Sequence, residues 1–92
     1  MKGKRIRNNL RRFRREHGLS QKDVAAILGL QSSSMVSRWE KGVCLPETIN
    51  ALKLAALYRS AVDVIYQDLR LALADEIWER RQSLCKTGGQ HG

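Results

Sequence analysis

The sequence predicts an all-α fold, and three observations lead there. Glycine is sparse before the last few residues, and proline occurs once, at Pro46. Valine, isoleucine and the aromatics are scattered rather than alternating, so no strand pattern stands out. Apolar residues instead recur at spacings of three and four, in segments that tend to open on Ser and close on Gly. A chain of 92 residues suits one domain around one modest core.

The elements follow in order. Positions 1–5 read as a short basic arm. Ile6, Leu10 and Phe13 form one stripe of a helix over Ile6–His17, stopped by Gly18. Ser20 begins a second helix, Gln21–Leu28. Asp23 lies three residues on, as a capping box requires, and Leu19 and Val24 are spaced for a hydrophobic staple. Val24, Ala25, Ile27 and Leu28 supply its apolar face, and Gly29 ends it. A third helix starts within Ser32–Ser34 and runs to Lys41, with Met35, Val36 and Trp39 inward and Gly42 as its stop. After a loop over Val43–Pro46, a fourth helix spans Glu47–Arg59, with Ile49, Leu52, Ala55 and Ala56 as its core stripe.

Ser60 and Asp63 form another Ser-x-x-Asp start. The helix after them reaches about Leu84, a length of roughly 36 Å, with Asp68 as the place for a break. It carries two apolar seams. One is Val62, Tyr66, Leu69, Leu73 and Ile77; the other is Leu71, Ala74, Trp78 and Cys85. One seam covers the domain's own core, and the other is left in water or meets a partner. The expected division is therefore a basic arm at 1–5, a domain at 6–69, a helical extension at 70–85 and a tail at 86–92.

Charge narrows the function classes. Lys and Arg number 17 against 9 Asp and Glu, a net charge of +8. Positions 1–15 hold eight basic residues and no acidic ones, whereas positions 60–92 hold four basic and five acidic residues. A positive field concentrated on the N-terminal part of the chain attracts polyanions, nucleic acid first among them. Catalysis finds no support: His17 and His91 stand alone, Cys44 and Cys85 are far apart, and no metal spacing or phosphate loop is present. No enzyme activity and no cofactor are therefore expected. The absence of a signal-like segment or a long apolar run argues against secretion and membrane spanning, so a cytoplasmic protein with reduced thiols is expected, nucleoid-associated where it binds nucleic acid.

The two short helices around Gly29-Leu30-Gln31 match a helix-turn-helix. Gly29 tolerates the backbone angles of the turn. Ser32, Ser33 and Ser34 are short polar residues that let a helix start approach base edges. One turn later come Ser37 and Arg38, and Arg suits bidentate bonding to guanine or phosphate. A serine cluster also serves simply as cap and turn, and that alternative stays open on the residues alone.

Leu19-Ser20-Gln21, Val24-Ala25, Leu28-Gly29, Ser37-Arg38-Trp39-Glu40-Lys41-Gly42 and Leu45-Pro46 resemble the phage-repressor or Cro-like (lambda-repressor-like) helix-turn-helix family, over about Leu10 to Leu69. The resemblance implies a five-helix domain, here with an extended C-terminal helix, acting as a sequence-specific regulator of transcription, a repressor, that reads the major groove with helix three. It implies base contacts from positions like Ser33, Ser34 and Arg38, and with the residues around them the expected DNA-contacting set is Ser20, Gln21, Gln31, Ser32, Ser33, Ser34, Ser37, Arg38 and Lys41. Gln21 would bond a phosphate, and an Arg14–Glu40 ion pair would clamp helix one to helix three. It also implies homodimers on near-palindromic duplexes, for which the C-terminal helix offers Leu71 and Trp78. An antitoxin with a toxin-like protein partner is the rival reading of that helix.

Three departures stand out, one of them the long C-terminal helix, which is not part of the shared pattern. Gly29 to Gly42 is one residue longer than the commonest family spacing, so which serine enters the groove is open by one position. Arg59 stands where a glycine is usual after helix four.

Overall fold

The computed structural model describes residues 5–86, and these are all helical apart from turns and connecting segments. Six helices follow one another: α1 (Leu10–Glu16), α2 (Gln21–Leu28), α3 (Ser34–Lys41), α4 (Thr48–Tyr58), α5 (Val62–Ile65) and α6 (Gln67–Lys86). Most of the expected basic arm and nearly all of the expected tail lie outside the described residues. Within them, no helix is long and apolar enough to cross a membrane.

The core is one cluster. Leu10, Val24, Ala25, Leu28, Val36, Trp39, Leu54, Tyr58, Ile65 and Tyr66 are buried, and Ile6, Phe13, Leu19, Leu30, Val62 and Leu69 pack against it. Trp39, 1 % exposed, is among its largest members. Phe13 stacks on Tyr58 at 5.9 Å between ring centroids, which ties α1 to α4. α2 begins with the capping box its sequence spells: Ser20 Oγ accepts from the Asp23 amide at 3.0 Å, and Asp23 accepts from the Ser20 amide at 2.9 Å.

The first helix starts later than its apolar stripe implies. Residues 6–9 form a non-helical strap. The Ile6 amide donates to Gly42 O, and Asn8 Nδ2 donates to Ile6 O and Trp39 O. Asn8 Oδ1 accepts from the Leu10 amide, so the helix begins there. The strap also sets the break farther along the chain. The Asn9 amide donates to Ile65 O at 2.9 Å, and Asn9 Nδ2 donates to Val64 O at 3.0 Å. Those carbonyls would otherwise continue the helical ladder to Leu69 and Asp68. With both engaged, α5 ends and the chain turns at Tyr66 (φ −113, ψ 47), two residues before Asp68. Ala61, not Ser60, is the N-cap of α5.

Several inward assignments are corrected. Ile27, Met35, Ile49, Leu52 and Ala56 are exposed. On α4 the buried pair is Leu54 and Tyr58, with Ala51, Ala55 and Leu57 half-buried. That helix is apolar on nearly every side, so its neighbours, not its pattern, select the buried face. The long seam also fails to cover the core along its length. Val62, Tyr66 and Leu69 do so, but Leu73 and Ile77 are as exposed as Leu71 and Trp78, because α6 runs past the end of the domain.

Candidate nucleic-acid interface

α2 and α3 are joined by Gly29, Leu30, Gln31, Ser32 and Ser33. Gly29 takes the left-handed conformation (φ 81) that ends α2, and the Leu30 amide then donates to Ala25 O. Lys53 Nζ donates to Leu28 O at 3.0 Å and closes the same helix end. Gln31, Ser32 and Ser33 thus all belong to the turn, and Ser34 is the first residue of α3. Ser32 Oγ lies 2.6 Å from Ser34 Oγ and accepts from the Ser34 amide at 3.3 Å. The serine cluster therefore does organise the turn.

α3 has two unlike faces. Val36 and Trp39 are buried, and Glu40 lies beside them. Ser34, Arg38 and Lys41 are exposed on the opposite side, while Ser37 is half-buried between the two. The inner face is held by a fork. Arg14 Nε donates to Glu40 Oε2 at 2.6 Å and Arg14 Nη2 to Glu40 Oε1 at 3.1 Å. Only 12 % of the arginine side chain and 4 % of the glutamate are exposed. Arg14 Nη1 donates to Leu19 O, and Gln21 Nε2 donates to Glu40 Oε1 at 3.1 Å. One carboxylate thus joins α1, α2 and α3. Its hydrogen bond to Arg14 raises the pKa of that guanidinium further above its ordinary value.

The start of α2 flanks this face. Ser20 is exposed and committed to the capping box, which holds the Asp23 carboxyl below its ordinary pKa through the bond from the Ser20 backbone. The amides of Gln21 and Lys22, in the first turn, have no intrahelical acceptor. The Gln21 side chain points to Glu40, which leaves its amide oxygen and second N–H to other partners.

Three residues near this face were not singled out for it by sequence pattern. Lys22 lines one shallow concavity with Gln31, Ser32 and Ser33. Arg5, just before the strap, donates to Lys41 O at 3.3 Å and so lies at the C-terminal end of α3. Met35 is exposed instead of buried. No local pattern flags either of the last two: the helical period sets Met35 nearer Trp39 than Arg38, roughly 40° against 60°, and the Arg5 contact depends on a non-helical segment that no pattern announces.

No group of His, Cys, Asp or Glu among the described residues could hold a metal ion. A model of the helix-turn-helix family matches residues 10–65, from α1 through α5, and α6 lies beyond the match. No curated protein matches the chain.

Proposed function

The chain belongs to the helix-turn-helix family of DNA-binding transcription regulators, and on that premise we propose that it is a sequence-specific repressor of the phage-repressor or Cro-like kind that lays α3 in the major groove. The observation that carries this reading is the two-faced α3. Its polar outer side, Ser34, Arg38 and Lys41, is free of the core, and its inner side is braced through Glu40 to α1 and α2. A helix held this rigidly presents its side chains with little ordering still to be done on binding.

In this reading Arg38 meets a base edge, Ser34 is the serine nearest the groove, and Ser32, Ser33 and Ser37 set its approach. Ser20, Gln21, Gln31 and Lys41 meet the backbone, helped by the α2 amides and by the excess of cationic side chains. Residues 6–69 form the reading unit. The extension at 70–85 pairs two copies about a two-fold axis through Leu71 and Trp78, both about half exposed. Such a dimer requires a near-palindromic duplex, and a protein that binds DNA in this way works in the cytoplasm, at the nucleoid. The same seam also suits a toxin-like protein partner.

Selection of duplexes from a random pool, followed by mobility shift at several salt concentrations, tests the reading. A near-palindromic motif is expected, with binding that weakens as salt rises by a slope of about −0.9 per phosphate neutralised. Arg38→Ala is expected to cost about 1–3 kcal/mol on the selected site and little on random DNA, and Lys41→Ala to weaken both alike. Failure to enrich any duplex, or a flat salt dependence, would overturn it. For pairing, Leu71→Glu with Trp78→Glu is expected to turn a sedimenting dimer into a monomer. A monomeric unaltered chain, or a dimer indifferent to both changes, would exclude this seam, and a foreign chain co-purifying on it would favour the toxin-like partner.

A further inference from the structure

On the pattern of its sequence Met35 belongs to the core, yet Val36 and Trp39 fill the inner side of α3 and Met35 is 39 % exposed. It is the second residue of the helix, at the end that comes nearest base edges when such a helix enters a groove. Arg38 is three residues on, so the two side chains are surface neighbours, roughly 60° apart at 100° per residue. The polar groups beside Met35 are partly spoken for, since Ser34 Oγ is paired with Ser32 Oγ at 2.6 Å. What remains at the front of the helix is a long, unbranched, polarizable apolar chain beside a guanidinium.

In the major groove the one apolar feature that distinguishes a base pair is the thymine 5-methyl group. We propose that Met35 reads a thymine methyl in the base pair next to the one Arg38 contacts. This inference rests on the DNA-binding reading above. A thioether chain suits the task because it bends to meet a methyl group without demanding a hydrogen bond. Neighbouring guanine and thymine contacts from residues three apart would then read one short step of sequence.

The test is replacement of each thymine in the selected duplex by deoxyuridine, which deletes the methyl and leaves every hydrogen-bonding group in place. The full-length chain is expected to lose about fourfold in affinity at one thymine position per half-site, the effect of one buried methyl group. Met35→Ala is expected to bind the thymine duplex more weakly and to make no distinction between thymine and deoxyuridine there, while Met35→Leu retains the distinction. Thermal melting of each variant should match the parent, because the position is exposed and both replacements favour helix. If no deoxyuridine position matters, or if Met35→Ala keeps the same discrimination, Met35 reads no methyl, although DNA binding stands. If no duplex binds at all, both readings fall together.

Discussion

Arg59 closes α4 with φ 53 and ψ 46, the described non-glycine residue with positive φ. An L-residue meets its own Cβ against the following carbonyl there. Arg59→Gly is expected to stabilise the fold by roughly 0.5–1 kcal/mol, the relief of strain exceeding the added freedom of the unfolded chain. A melting midpoint raised by a few degrees would show it, and an unchanged or lowered one would mean the arginine makes compensating contacts. The Arg14–Glu40 fork is a second case in which one residue type matters. Both side chains are nearly out of water, so removing either strands the other, with an expected loss of about 3–5 kcal/mol for Arg14→Met or Glu40→Leu. The double replacement is expected to lose much less than the sum, because no stranded charge remains. Additive losses would place the two charges in separate environments. The family pattern named this pair from sequence. It did not reveal that Gln21 shares the carboxylate, since no spacing rule connects a helix start to a residue nineteen positions on.

At the scale of elements, the strap at residues 6–9 has the widest reach. It begins α1, ends α5 and closes on Gly42, whose φ is 77. A Cβ on Gly42 would fall on the backbone of Ile6, 2.6 Å from its nitrogen, whereas a Cβ on Gly29 would meet nothing within 4 Å. Both positions carry the left-handed strain, worth about 1–3 kcal/mol in a non-glycine residue. Gly42→Ala is therefore expected to destabilise more than Gly29→Ala and, unlike it, to speed hydrogen exchange at the Ile6 amide. Equal losses with unchanged exchange at Ile6 would separate the strap from α3. The helical stripe of Ile6, Leu10 and Phe13 passes through the strap, so pattern alone places helix there. The deciding groups are Asn8, whose Oδ1 accepts from the Leu10 amide at the start of α1, and Asn9, whose backbone and side-chain N–H groups go to the carbonyls of α5 instead.

At the scale of the molecule, the core closes over two tyrosine hydroxyls that have no hydrogen-bond partner, those of Tyr58 and Tyr66. Burial pushes both phenols up to about 12. The folded state thus favours the neutral form more than the unfolded chain does, where a phenol titrates near 10. This contribution to stability is complete below about pH 10 and is lost as pH rises toward 12. Denaturant unfolding between pH 8 and 11.5 is expected to show stability falling above about pH 10, with a shallower fall in Tyr66→Phe. Equal slopes would mean that Tyr66 reaches water before the fold opens.

What the sequence by itself determined is local or periodic. It set the all-α class, the capped start of α2, the glycine stops after α2 and α3, the burial of Val24, Leu28, Val36 and Trp39, and the helix-turn-helix spelled from Leu19 to Gly42. Each of these depends on neighbours within a few turns of chain, or on a motif dense enough to be read as a unit. Only the tertiary structure decided which side of α4 faces inward, why α5 stops at Ile65, that Met35 is turned out and that α6 leaves the core beyond Leu69. In each case the deciding group lies outside the element. A helix apolar on several sides has no preferred inner face until another surface arrives, and a backbone carbonyl has no fixed partner until a distant side chain, here Asn9, competes for it.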